Sequence, residues 1–113
     1  MDIYTPEQLA EIRRLNDNFR FTFRGGQLVC TPSVLAMPTM VIAAAFLKVS
    51  EFDDFNARND PFGEHDCLSF ELCNRTFFFK IDYYNLNMEF GSPDPSDPSV
   101  TQRVGVLMLA SDW

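Results

Sequence analysis

The chain has 113 residues, of which 46% are hydrophobic and 22% are charged, and this composition is typical of one ordinary globular domain spanning residues 1–113. No segment approaches the roughly 18 to 20 apolar residues that a membrane helix needs. The first residues, MDIYTPEQLAEIRR, contain no apolar signal segment. We therefore expect a soluble cytoplasmic protein in which Cys30, Cys67 and Cys73 are reduced thiols.

The net charge of −7 is placed unevenly along the chain. Residues 1–50 hold five basic and four acidic side chains, whereas residues 51–113 hold four basic and twelve acidic ones. Proteins that bind nucleic acid need clustered Lys and Arg to displace counterions from phosphates. Direct binding to DNA or RNA is therefore disfavoured. The acidic half is either a solvated surface or a face directed at a basic protein.

The first half of the chain predicts two helices and a short strand. Thr5 can cap a helix that starts at Pro6, and apolar residues then recur at helical spacing over residues 6–19. Residues 20–24 fit helix or strand, and helix is favoured. A short strand is expected over residues 27–31, followed by a second helix over residues 38–52.

The second half predicts a sheet and a last helix. Apolar and polar residues alternate over residues 67–90, which predicts a three-stranded antiparallel meander with turns at Asn74-Arg75 and at Asn85. Asp97-Pro98 resembles a helix start, and residues 98–109 then carry an apolar stripe at helical spacing. The expected fold class is α+β: three helices packed on a short antiparallel meander sheet of three to four strands.

The densest group of chemically active side chains is Glu64, His65 and Asp66, with Asp60 upstream and Lys80 on the next strand. His65 is the only histidine, so histidine-based acid–base chemistry would have to use it. Adjacent residues on a strand point to opposite faces, which disfavours convergence on a metal ion. The three cysteines lack zinc-site spacing. We expect no metal, no cofactor and no catalytic residue, and two interpretations of Glu64–Asp66 remain open: a structural loop-to-strand junction, or a functional loop.

Several segments resemble an established bacterial family of unknown function. They are NDPFGEHD at 59–66, FFFKIDYY at 77–84, GSPDPSDPSVTQRV, LMLASDW, IRRLNDNFR and GGQLVCTP. Members of that family are carried mainly on plasmids, phages and other mobile elements. The resemblance implies no activity and no catalytic residue. It does imply a context in which small acidic proteins often inhibit host defence, as anti-CRISPR or anti-restriction proteins do.

Three functions follow as hypotheses. The first is a non-enzymatic inhibitor that imitates the charge of DNA and binds a host protein or nucleoprotein complex of a nucleic-acid-handling defence system, without a membrane or small-molecule partner. Its partner-binding carboxylates would be Asp53, Asp54, Asp60, Glu71, Glu89, Asp94 and Asp97. A competing mode of protein binding would instead use Phe62, Phe90 or Trp113 as aromatic anchors. The second is a small hydrolase or nuclease-like enzyme built on Glu64, His65, Asp66 and Lys80. The third is a structural accessory protein of a mobile element.

Overall fold

The structure is a computed structural model that describes residues 3–113. Three helices pack against one face of a four-stranded mixed sheet, which confirms the expected α+β class. The elements in chain order are α1 Pro6–Thr22, β1 Gly26–Cys30, α2 Pro32–Leu35, α3 Thr39–Glu51, β2 Cys67–Leu72, β3 Arg75–Tyr84 and β4 Gln102–Leu109, followed by a short 3-10 turn at Ala110–Asp112.

The sheet has the strand order β1-β4-β3-β2. Strands β2, β3 and β4 pair antiparallel, whereas β1 runs parallel to β4 at the edge of the sheet. The expectation of a purely antiparallel meander is therefore wrong, whereas the short strand expected over residues 27–31 is confirmed as β1. The parallel pairing is possible because α2, α3 and the β2–β3 hairpin lie between β1 and β4 in sequence and supply a long crossover.

Helix α1 begins as its sequence predicts. The backbone N–H of Gln8 donates to Thr5 Oγ1 at 3.0 Å, and the backbone N–H of Thr5 donates to Gln8 Oε1 at 2.9 Å. These reciprocal bonds satisfy donors that the first helical turn leaves without partners. The helix continues through Thr22 and ends where Phe23 adopts a left-handed conformation. The ambiguous residues 20–24 are thus mainly helical, as favoured, and α3 confirms the helix predicted over 38–52.

The helix predicted over residues 98–109 is wrong, because this segment contains the central strand β4. Six apolar or small residues follow one another in VGVLML, and most of them are buried, on both faces of the sheet. A continuously apolar run matches a helical spacing by chance as readily as a strand. Gly105 fits the strand closely, since a Cβ there would lie 2.5 Å from Cζ of Phe79.

The third strand predicted over residues 86–90 is also wrong. The Asn85 side chain accepts hydrogen bonds from the backbone N–H groups of Glu89 and Phe90, which closes a turn instead. Strand β4 occupies the place beside β3 that this segment was expected to fill. The first hairpin turn lies at Cys73-Asn74 rather than at Asn74-Arg75, and both turn residues have positive φ, as the tight hairpin turn requires.

The core lies between the helices and one sheet face. Phe19 from α1, Val49 from α3, Phe77 and Phe79 from β3 and Leu107 from β4 are all fully buried or nearly so. Because side chains alternate between the two faces along β3, Tyr83 lies on this same face, at the end of the sheet next to α1. The polar residues of α1 therefore lie close to Tyr83 at this end of the sheet. The candidate site forms there.

Candidate functional site

The loop that carries Glu64, His65 and Asp66 is fastened along α1. Arg13 Nε donates to the carbonyl of Gly63 at 2.7 Å, and Asn16 Nδ2 donates to the carbonyl of Glu64 at 3.0 Å. Gly63 adopts a φ of +70°, a conformation that side-chain-bearing residues rarely adopt. These two bonds fix the loop backbone so that successive side chains leave it in different directions.

The His65 side chain points into the protein and is held on three sides. Its Nδ1 lies 2.8 Å from Asp17 Oδ1, and its Nε2 lies 3.6 Å from Asp60 Oδ2. Its ring stacks on Phe55 with centroids 4.0 Å apart. The backbone N–H of His65 also donates to the Asp60 carboxylate. This arrangement favours the structural interpretation of His65, because both ring nitrogens already face carboxylates of the same chain.

Arg20 extends the same cluster into the core. Its guanidinium donates to Asp17 Oδ1 at 2.7 Å and to the carbonyl oxygens of Val49 and Phe52 at 3.1 and 2.9 Å. The last two carbonyls lie at the end of α3, where helical carbonyls lack partners and a cation is favourable. Arg20 therefore joins α1, the end of α3 and the histidine loop.

A second polar network runs from β4 to the Glu64 carboxylate. Arg103 Nε donates to Asn16 Oδ1 at 2.8 Å, and another guanidinium nitrogen donates to the carbonyl of Pro95 at 2.6 Å. Asn16 Nδ2 donates to the Tyr83 hydroxyl at 2.8 Å, and that hydroxyl donates to Glu64 Oε1 at 2.8 Å. Burial, and then the nearby carboxylates, raise the pKa of Tyr83, so it remains a protonated donor. We call Arg103, Asn16, Tyr83 and Glu64 the polar relay.

Glu64 lies at the wall of a cleft of about 520 Å³. The rest of the cleft is mainly apolar, with Tyr4 and Leu9 on the side of α1 and Pro61 and Phe62 on the loop. This size is within the range of pockets that bind small molecules or peptide side chains. The cleft therefore places one carboxylate against mainly apolar walls.

Asp66 is a half-buried carboxyl with an altered titration. Burial raises the pKa of Asp66 to about 6, and the neighbouring negative charges of Glu64, Asp60 and Asp82 add to the rise. A carboxyl with this pKa exchanges its proton near neutral pH. Asp66 is thus the residue of the loop best suited to acid–base chemistry.

The predicted site residues do not meet in one place. Glu64 faces the cleft, and His65 faces Asp17 and Asp60. Lys80 pairs with Asp82 at 2.9 Å on β3 instead of joining the loop. Within residues 3–113, no group of three or more His, Cys, Asp or Glu residues is placed to hold a metal ion. In the same range, the three cysteines are free thiols.

The seven proposed partner-binding carboxylates differ in exposure. Asp53, Asp54, Glu71 and Glu89 are exposed to solvent. Asp60 has a side chain only 6% exposed under His65, so it is not available to a partner. Asp94 and Asp97 are half-buried and accept hydrogen bonds from Ser96 and Ser99. Only Glu71 lies on a strand, and the other six lie in loops.

Sequence reasoning missed the polar residues that build the site, which are the buried Asn16, Arg20 and Arg103 and the partly exposed Asp17. One signal was present. Asn16 and Arg20 lie on the same helical stripe as Ile12 and Phe19, where apolar residues are expected. A polar residue inside an apolar stripe indicates a buried hydrogen-bond network.

The fold and site together define a small α+β domain with a buried polar relay that ends at a carboxylate in an apolar cleft. A family model described as a protein of unknown function (DUF3768) matches residues 30–112, and the chain belongs to this family. No curated protein and no solved structure matches the chain significantly. No helix among residues 3–113 is long and apolar enough to span a membrane.

Proposed function

We propose that this protein is a non-enzymatic inhibitor that binds a basic surface of a host nucleic-acid-handling defence complex, of the anti-CRISPR or anti-restriction type, and thereby masks that surface from DNA. It acts in the cytoplasm in this proposal. The family resemblance supports the context, because small acidic proteins carried on plasmids and phages often inhibit host defence. The chemistry of the partner follows from the charges of this chain.

One observation carries the proposal: two arginines are buried, while four of the seven named carboxylates are exposed and form no ion pair within the described part of the chain. Arg20 and Arg103 are 2% and 3% exposed, and both are committed to internal hydrogen bonds. Arg13 is half-buried against Gly63. A partner therefore meets a surface more acidic than the net charge of −7 suggests.

The exposed carboxylates are not neutralised by neighbours. Among residues 3–113, ion pairs with lysine or arginine form at Glu11, Asp17 and Asp82. None forms at the four exposed carboxylates named above, which are Asp53, Asp54, Glu71 and Glu89. Unpaired surface carboxylates steer a basic partner and discriminate against an acidic one.

The aromatic mode of binding is also supported. Phe62, Phe90 and Trp113 are 76%, 69% and 75% exposed. Exposed aromatic side chains serve as anchors at protein interfaces, where they bury a large apolar area. We infer that charge directs the encounter and that one or more of these rings adds contact area in the complex.

The proposal is tested by affinity purification from a lysate of the source organism with three forms of the protein. The first is the wild type. The second carries Asp53→Asn, Asp54→Asn, Glu71→Gln and Glu89→Gln, and the third is a charge-matched control with Asn18→Lys, Gln27→Lys, Thr39→Lys and Ala43→Lys at exposed sites in the first half. Each variant removes four of the seven net negative charges.

We expect the wild type and the control to retain the same nucleic-acid-binding proteins, and the amide variant to lose them. Physiological salt should weaken retention relative to low salt, because exposed charges are screened beyond about 8 to 10 Å. Equal retention by all three forms would refute the charge-directed mode. Loss only after Trp113→Ala, Phe62→Ala or Phe90→Ala would show that an apolar patch carries binding.

A second candidate function is a small hydrolase, and one observation favours it: the pKa of Asp66 is raised to about 6 beside Glu64. A carboxyl whose pKa lies near neutral pH can serve as a general acid or a general base. A hydrolytic activity abolished by Asp66→Asn, in a variant at least as stable as the wild type, would establish this function in place of the first.

A further inference from the structure

The cleft at Glu64 combines apolar walls with a carboxylate that forms no direct ion pair in the part of the chain that the structure describes. Tyr4 and Leu9 line one side, Pro61 and Phe62 line the other, and the Glu64 carboxylate is half-buried between them. Among the described residues, Glu64 forms no ion pair, and its Oε2 accepts no hydrogen bond. An apolar group alone would leave this carboxylate desolvated, which is costly.

The position of the carboxylate is fixed before any ligand arrives. Glu64 Oε1 accepts the Tyr83 hydroxyl, which is held by Asn16 and in turn by Arg103. Both Asn16 and Arg103 are buried, so the polar relay cannot swing into solvent. A charged group that is held in place loses less entropy on binding than a mobile surface side chain.

Three carboxylates act electrostatically on Tyr4 at the cleft. Burial raises the pKa of Tyr4, and the charges of Glu64, Asp66 and Asp94 raise it further. These three carboxylates therefore act together on a ring that lines the cleft. The complementary ligand has an apolar stem and a cationic end, as lysine and arginine side chains do.

We propose that the cleft binds a lysine or arginine side chain of the basic protein partner, with the aliphatic stem against Leu9 and Phe62 and the cationic head on Oε2 of Glu64. This inference rests on the proposed function and adds the specific contact. The volume of about 520 Å³ exceeds what one side chain needs, so residues flanking the cation enter as well.

The test uses a blocked tripeptide with a central lysine between two leucines. The matched ligand replaces lysine by norleucine, which keeps the stem and removes the ammonium group. Binding of each peptide to the isotope-labelled full chain is followed by backbone amide NMR shifts. We expect the lysine peptide to bind at least about tenfold more tightly than the norleucine peptide, since a charge-assisted hydrogen bond contributes on that scale. The largest shifts should fall at Tyr4, Leu9 and Glu64.

Three variants distinguish peptide binding in the cleft from attraction by carboxylates elsewhere on the surface. Glu64→Gln keeps an oxygen for the Tyr83 hydroxyl but removes the charge, and it should abolish the preference for lysine. Glu89→Gln removes an exposed carboxylate outside the cleft and should preserve that preference. Phe62→Ala changes a side chain that is 76% exposed, so it should fold normally and weaken both peptides. Equal binding of the two peptides, no binding at all, or a lysine preference that survives Glu64→Gln would overturn the inference.

A result that refutes the cleft contact can be distinguished from a result that refutes the proposed function. Partner retention that survives Glu64→Gln but is lost in the amide variant of the exposed carboxylates would refute the cleft contact alone. Retention that survives in the amide variant would refute the charge-directed function, whatever the peptides do.

Discussion

Arg103 Nε donates to Oδ1 of Asn16 at 2.8 Å, and the two side chains are 3% and 0% exposed. This bond joins the central strand β4 to helix α1 across 87 residues of sequence. The family model matches residues 30–112, and α1 lies before that range. Helix α1 is nevertheless part of the same structural unit, because it completes the hydrogen bonding of a buried cation on the matched strand.

Removing the Asn16 amide should destabilise the whole domain. In Asn16→Ala, Arg103 Nε and the Tyr83 hydroxyl each lose a buried partner, and we expect the free energy of unfolding to fall by about 2–4 kcal/mol. Asn18→Ala, at an exposed position on the same helix, should change it by less than about 0.5 kcal/mol. Urea unfolding followed by circular dichroism measures both. Equal stability of the two variants would contradict the structural role given to the polar relay.

Replacing His65 should also cost stability. His65→Ala removes the hydrogen bond to Asp17 and the stacking on Phe55, and we expect a loss of about 1–3 kcal/mol. His65 has a φ of +56°, and Asn accepts that conformation more readily than Ala does. His65→Asn should therefore be less destabilising than His65→Ala. An unchanged melting temperature together with the loss of an activity would instead identify His65 as catalytic.

The raised pKa of Asp66 predicts a pH dependence of stability with a definite sign. Because its folded pKa of about 6 lies above its ordinary value of 3.8, its favourable contribution is complete below about pH 4 and is lost as pH rises through 6. Asp66→Asn cannot ionise and should gain stability relative to the wild type over that interval. We expect the gain to reach about 1–2 kcal/mol after solvent screening of this half-exposed group.

The measurement is the difference in unfolding free energy between Asp66→Asn and the wild type at several pH values from 4 to 8. Taking this difference removes the contributions of the other carboxyls to the pH dependence, because they are the same in both proteins. Asp97 and Asp112, for example, have lowered pKa values because serine side chains donate to them, and they act with the opposite sign. A difference that stays constant across this range would show that Asp66 titrates normally.

Local sequence patterns predict correctly those elements whose structure depends mainly on their own residues. The Thr5 cap specifies the start of α1, and alternation specifies β2 and β3. Strand β4 was missed because a strand buried on both faces has no alternation to read. The segment after Asn85 alternates like a strand but forms a turn, because β4 occupies the place beside β3. Strand order is a tertiary property that no local pattern contains.

For the candidate site too, the sequence identifies conspicuous residues, whereas their roles depend on the tertiary fold. The sequence identified Glu64 and His65 because charged residues and a lone histidine are conspicuous. It could not assign them separate roles, since these depend on which groups α1 and β4 bring to the loop. Asp60 was expected on the surface from its charge alone, and its burial under His65 follows from the fold of the loop.

The protein itself should not bind DNA, despite its arginines. Two of them are buried, and the exposed surface carries unpaired carboxylates that repel phosphates. We expect no change in the fluorescence anisotropy of a labelled duplex at physiological salt, even at high protein concentration. Tight binding in this assay would contradict the inhibitory mechanism proposed above.

The most direct test of the central claim is competition between this protein and DNA for the purified partner. A labelled duplex is first bound to the partner, and the protein is then added while anisotropy is recorded at physiological salt. Our account predicts that the wild type displaces the duplex, and that the variant with Asp53→Asn, Asp54→Asn, Glu71→Gln and Glu89→Gln displaces it far less well. A stable ternary complex of partner, duplex and wild-type protein, or equal displacement by the two forms, would contradict it.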